Sequence, residues 1–211
     1  MVFSLRRRPG DAETGGVYSG AGAVETLDLW LVRHGESVRS RDGVLAGWSD
    51  VPLTTKGEEQ ARSLRPFLAN NHFTNVWSSD LDRALTTARL AWGEPTTDER
   101  LREINFGELE GASWVTLDAG HKQALMDFVD FDFPGGESEQ AVRRRVHAFV
   151  AGLPPGRHLV FTHGGVIRIL SRDVGEDDFV PTGTVLGLWW SPKQVLFKRP
   201  PDQLLLFHWD I

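Results

Sequence analysis

Apolar residues fall along the chain in two kinds of run. Short, nearly unbroken ones, "LDLWLV" (27–32) and "LVFT" (159–162), have the pattern of strands covered on both faces in a parallel sheet. Longer ones repeat at helical spacing. In "LTTKGEEQARSLRPFLANN", Ala61, Leu64, Phe67 and Leu68 share a face, acids crowd the first turn, and Thr54 or Thr55 can cap it. "NVWSS" (75–79) reads as a second strand, and "DLDRALTTARLAWG" as a helix capped by Ser79 or Asp80 and closed near Gly93. Ser138 to Leu153 form a third helix, Arg157 to His163 a buried strand, and "GGVIRILSRDVG" a helix opening directly from it. Strands and helices taking turns predict an α/β fold, a three-layer α/β/α sandwich around a mostly parallel central sheet.

Three stretches depart from that rhythm. The end, "GLWWSPKQVLFKRPPDQLLLFHWDI", predicts two or three strands joined by Pro-containing turns, antiparallel at one edge of the sheet. Gly111 to Pro134 is less regular and reads as a short lid insertion over one end of the sheet, with Trp114, Phe128, Phe131 and Phe133 assigned to the core rather than to a substrate wall. Residues 1–25, rich in Gly, Arg and Ser and without periodicity, read as an N-terminal arm, which leaves residues 26–211 for one domain.

Composition narrows the function. A chain of 211 residues, 40% of them hydrophobic, supports one sizeable core. A net charge of -6 argues against nucleic acid or an anionic membrane as the main partner. No apolar stretch approaches the roughly 20 residues needed to span a bilayer, and "MVFSLRRRPGDAETGG" has no apolar segment behind its arginines, so the cytoplasm is the expected compartment. With no cysteine, disulfides, thiolate metal sites and cysteine nucleophiles all drop out.

Chemistry enters where two predicted strands end alike, "LWLV" on Arg33-His34-Gly35 and "LVFT" on His163-Gly164-Gly165. Ligands in open α/β sheets gather at the carboxyl ends of strands, so neighbouring strands bring His34 and His163 to one crevice. The glycines let the chain turn sharply and let backbone amides approach a ligand; amides at a helix start favour an anion. Arg33 adds a planar fork suited to paired phosphate oxygens. Nearby arginine charge also disfavours the imidazolium, which keeps a histidine available as a nucleophile.

Through "LVRHGES", "SSDLDRALTTA", "LREINFGELEG" and "FTHGGV", in that order, the chain resembles the histidine phosphatase superfamily, also called phosphoglycerate mutase-like. The resemblance covers Leu27 to about Leu170. It implies that His34 is phosphorylated and then hydrolysed, that Arg33 and Arg83 clamp the phosphate, that His163 donates to its oxygens, and that Glu103 protonates the leaving oxygen. Neither metal nor other cofactor is implied, and the histidines show no HxH or HExxH spacing. His72, His121, His147, His158 and His208 read as surface or structural groups.

Within that family, mutases typically carry an Asn seven residues after the motif Arg, an Arg-Phe-Thr-Gly-Trp stretch, HGN after the second strand, and a long basic lid. Here those positions read Ser40, "VLAGW" (44–48) and "HGG", and the lid offers Lys122 as its one cation. "PGGESEQAVRRRV" (134–146) is similar to a segment of small bacterial phosphatases, including α-ribazole phosphatases and broad-specificity members. The expectation is therefore a phosphomonoesterase acting on a small phosphorylated substrate. A cofactor-dependent phosphoglycerate mutase is the runner-up, and a phosphoprotein phosphatase or a phosphate-binding module without turnover stands further off. The pattern leaves the oligomeric state open.

Overall fold

The computed structural model describes residues 26–177, 179–191 and 193–201. The predicted arm, His208 and any third strand after Pro201 lie outside the described residues. Among the described residues, six strands form one mixed sheet: β1 (Leu27–Arg33), β2 (Asn75–Ser78), β3 (Thr96–Thr97), β4 (Gly156–Thr162), β5 (Val185–Trp189) and β6 (Gln194–Arg199). Their spatial order is β3-β2-β4-β1-β5-β6. β3, β2, β4 and β1 run parallel, and β5 and β6 continue the sheet antiparallel at the expected edge.

Period-two alternation in β1 explains the layers. Trp30 and Val32 pack with Leu64 and Leu68 of α2 (Thr55–Ala69) and with Ala88 and Ala91 of α3 (Asp82–Ala91). Leu29 and Leu31 face the other way, against Val142 and Val146 of α5 (Glu139–Ala151) and Ile167 and Leu170 of α6 (Gly164–Arg172). The result is the predicted three-layer sandwich. A strand with both faces covered has no room for a polar alternation, which is why "LWLV" reads as a continuous apolar run.

Caps follow local chemistry, with one correction. Thr54 caps α2 by accepting from the Gly57 amide, and Ser138 caps α5 by accepting from Ala141. α3, expected to start on Ser79 or Asp80, begins after Leu81 with no side-chain cap. Both expected residues are committed elsewhere. The Ser79 hydroxyl lies against His163, and Asp80 holds Arg102 in a two-oxygen pair.

A short helix, α1 (Val38–Arg41), follows β1, and the insertion holds another, α4 (Ala119–Asp127); neither is legible as periodic sequence. Phe128, Phe131 and Phe133 belong to the core, each no more than 4% exposed. Trp114 does not. It is 38% exposed and lines a cavity, so its assignment to the core is overturned. Among the described residues, no helix is long and apolar enough to cross a membrane.

Candidate active site

Register places the two histidines together. Arg33 of β1 pairs with Thr162 of β4, so the next residues, His34 and His163, leave adjacent parallel strands at the same level. The His34 amide donates to the Thr162 carbonyl at 3.0 Å, and the two imidazoles stand with centroids 5.2 Å apart. Gly35 is demanded by packing: a Cβ there would lie 2.3 Å from the Gly57 carbonyl oxygen. Its amide donates to Thr87 Oγ1 at 3.0 Å.

One hydrogen bond fixes the state of His34. Nδ1 lies 2.7 Å from the Gly35 carbonyl, which can only accept, so Nδ1 carries the proton and Nε2 of the neutral ring keeps its lone pair. Burial, and then the charges of Arg83 and Arg33, hold the ring well below the usual histidine range, so the neutral form prevails. His163 is lowered in the same way, by burial first and Arg83 next. Its Nε2 sits 2.9 Å from Ser79 Oγ, and that hydroxyl oxygen also accepts from the Leu81 amide. Ser79 can therefore donate to Nε2, leaving a proton on Nδ1.

The arginines are held from behind. Arg83, 1% exposed, donates to the carbonyls of Ala46 and Gly47, each at 2.7 Å, and of Ser49 at 3.0 Å, which ties down the loop before α2. Arg33 donates to the Val180 carbonyl, and Phe179 stacks over its guanidinium with 4.5 Å to the ring centroid. Burial brings Arg33 down to about 10 against the opposing pull of the Glu103 carboxylate. Arg33 Nε, Arg83 Nε and His163 Nδ1 are all buried without a hydrogen-bond partner among the described residues. Such orphaned donors are costly unless an acceptor meets them, and an anion with several oxygens is the acceptor that matches.

Glu103 approaches from the third side. Its carboxylate accepts from the Ile104 amide at 2.9 Å and from the Gly165 amide at 3.1 Å, in the first turn of α6. Only glycine allows this approach, because a Cβ on residue 165 would stand 2.4 Å from Glu103 Oε1. The loop is braced by Arg145 of α5, whose guanidinium donates to the carbonyls of Arg100, Arg102 and Glu103 at 2.6–2.8 Å and pairs with Glu137 at 2.7 Å. Glu137 in turn accepts from the Asn105 amide at 2.9 Å.

Arg33, His34, Arg83 and Glu103 all line one cavity of about 560 Å³, and His163, wholly buried, stands edge-on to the His34 ring. The five residues singled out from sequence thus converge. Sequence reasoning missed Ser79 and Thr87, both inside the quoted "SSDLDRALTTA", and Arg145, whose signal was its place in an arginine run on a helix. It also missed Phe179. No group of three or more His, Asp or Glu side chains among the described residues is placed to hold a metal.

These features define a phosphoryl-transfer fold, and comparison with known proteins agrees. The histidine phosphatase superfamily (branch 1) profile matches residues 29–179, and the chain belongs to that family. It is 39% identical over 186 residues to "Probable phosphoglycerate mutase GpmB" of Salmonella choleraesuis, covering 82% of this chain and 81% of that one. A crystal structure of a phosphoglycerate mutase from Thermus thermophilus superposes with a TM-score of 0.77 at 48% identity, covering 82% of this chain and 98% of the other. A structure from Escherichia coli named "putative alpha-ribazole-5'-P phosphatase" superposes at 0.69 with 30% identity, covering 82% and 95%.

Proposed function

We propose that the chain is a metal-independent phosphomonoesterase that hydrolyses a small phosphorylated metabolite in the cytoplasm through a phosphohistidine on His34. The observation that carries this reading is the His34 ring, neutral, with Nδ1 donating to Gly35 and Nε2 free, between two buried arginines. In the first step the Nε2 lone pair attacks phosphorus, the P–O bond to the alcohol breaks, and Glu103, which enters this step as the neutral acid, gives its proton to the departing oxygen. Arg33, Arg83 and His163 hold the three remaining oxygens as charge redistributes over them. In the second step water attacks phosphorus, Glu103 takes the water's proton, the N–P bond breaks, and phosphate leaves with His34 restored.

Hydrolysis is favoured over mutase chemistry because a mutase must also hold a second anionic group. The lid's lysine, Lys122, donates to the Val115 carbonyl and does not line the cavity. Arg168, at the cavity edge, is occupied by Asp177 and by the carbonyls of Leu125 and Met126. The mutase reading is kept as the second one because relatives at 39% and 48% identity carry that name.

The test is phosphate release from an aryl phosphate and a panel of small phosphomonoesters, with excess chelator, comparing wild type with His34→Ala. The expected result is turnover that ignores chelator and disappears in the variant. Chelator-sensitive turnover, or turnover that survives His34→Ala, overturns the mechanism. Phosphate exchange between phosphoglycerates, dependent on added bisphosphoglycerate and faster than hydrolysis, selects the mutase instead.

A further inference from the structure

The cavity has two chemically distinct halves, and the reaction described above uses only one. Besides the arginines and His34, the cavity is lined by Val44 and Leu45, by Ile104 and Phe106, and by Trp114 and Met126 from the insertion. Phe179 closes the side over Arg33. Among the described residues, Ser40 and Arg168 in these walls are already engaged, while the Trp114 indole contributes an N–H. Ser40 Oγ donates to the Ser37 carbonyl and receives the Ser37 amide, and the two hydroxyls lie 3.2 Å apart. Arg168 is held by Asp177 and two carbonyls, as described.

We infer that the substrate is a phosphate monoester of an apolar alcohol, aliphatic or aromatic, with its hydrocarbon part seated against Trp114, Met126 and Phe179. This rests on the phosphomonoesterase reading and supplies its leaving group. Three observations support it. A glycerate or sugar would bury several hydroxyls or a carboxylate against walls that, among the described residues, are mainly apolar and whose serine and arginine are already engaged, a costly arrangement. A cavity of about 560 Å³ far exceeds what one phosphoryl group needs and lies in the range that encloses ligands of tens of atoms. Met126 and Phe179 are 59% and 69% exposed, so large apolar side chains are gathered at the mouth of a polar-floored pocket, where an apolar ligand would cover them. Phe179 serves both halves, since the ring that stacks on Arg33 also presents an aromatic face to the alcohol.

The experiment uses alkyl phosphates from ethyl to octyl, sn-glycerol 3-phosphate and 3-phosphoglycerate, whose leaving groups are all aliphatic alcohols. Burial of each methylene is worth about 0.8 kcal/mol, so kcat/KM is expected to rise about fourfold per methylene until the cavity is full. Hexyl phosphate should exceed the glycerol and glycerate esters by at least ~100-fold. Trp114→Ala and Phe179→Ala should each narrow the hexyl-to-ethyl ratio. A flat chain-length series, or a glycerate or glycerol ester preferred over hexyl, overturns the inference.

A binding arm separates this from the catalytic reading. Hexylphosphonate and ethylphosphonate, which cannot be hydrolysed, are titrated by calorimetry against wild type. Chain-length-dependent affinity without turnover on any ester sustains the apolar pocket and removes the phosphatase. Turnover with no chain-length dependence in either rate or affinity does the reverse.

Discussion

At the floor of the cavity, His34 and His163 sit at the ends of adjacent strands, 4% and 0% exposed, and His34, Arg33 and Arg83 are each held by a backbone carbonyl. The roof is built differently. α4 has no fully buried residue: the buried anchors Phe128, Phe131 and Phe133 lie beyond the helix, and the helix itself adds only the partly buried Ala124 and Leu125. Chemistry needs atoms held within fractions of an ångström, which only strand ends and buried forks supply. Recognition of an apolar group is non-directional and tolerates a looser wall. The floor should therefore respond steeply to small changes and the roof weakly.

The steepest response is expected behind Glu103. Arg145→Ala removes a charged donor from three carbonyls and the ion-pair partner from Glu137, and stability should fall by about 3 kcal/mol or more, as measured by urea unfolding. Arg145→Lys keeps the charge but not the fork, so it should recover part of the stability and little of the activity. If Arg145 positions Glu103, the residual activity of the Lys variant will fall most for poor leaving groups, which need the proton. Equal losses for good and poor leaving groups would reduce Arg145 to a structural brace.

Next comes Gly165→Ala. The added methyl would meet the Glu103 carboxylate and Ile104 Cδ1, at 2.4 and 2.9 Å, so the acid must move. A displacement near 1 Å should lower kcat by about 100-fold with the fold intact. Gly165→Ala with wild-type kcat would show that the floor is no more exacting than the roof.

The same contrast decides what was legible in the sequence. The floor could be read because its constraints are local: a strand must end, a glycine must follow, and a histidine must stand between them, all within a few residues. Arg83 and Glu103 needed the resemblance, since a helix arginine and one glutamate among several carry no signal of their own. The roof was read only as an interruption. Its helix α4 lacks an apolar stripe, Trp114 turned outward, and Phe179 reaches the site from the far side of α6, a proximity that no local pattern encodes. Local sequence favours Ser79 as a helix cap, which suits an isolated serine, and tertiary contact with His163 overrides it.

A different kind of effect, read as a slope against pH, concerns protons at the floor. Both histidines are lowered from the ordinary value of 6.5, chiefly by burial, so below that pH the unfolded chain binds protons that the folded one refuses. Stability should therefore be lost as pH falls from about 7 to 5, each histidine contributing about 1.4 kcal/mol per pH unit once well below its unfolded value. His34→Gln should remove one such contribution from the slope of unfolding free energy against pH. The same depression predicts no acid inflection near 6.5 in kcat/KM for an aryl phosphate, since the nucleophile stays unprotonated there. An unchanged slope in the variant, or an inflection near that ordinary histidine value, would mean that His34 is solvated like any surface histidine.

The weakest expected response lies at the roof's own fastening. Asp177 receives Arg168 and Arg172, which together also hold the carbonyls of Leu125, Met126, Asp127 and Phe128, so one carboxylate orients two arginines that grip the end of α4. Those partners push the Asp177 carboxyl far below the ordinary range, Arg172 most strongly. The group is 43% exposed, however, and solvent screens much of that attraction. Asp177→Asn should thus cost global stability no more than about 1 kcal/mol and leave hydrolysis of ethyl phosphate within a few-fold of wild type. What should change is local. With the arginines freed, α4 opens more often, and amide hydrogen exchange should quicken across 119–128 while the strands of the floor keep their protection. Equal acceleration at floor and roof would show that the two halves open together, and the division drawn between them would not hold.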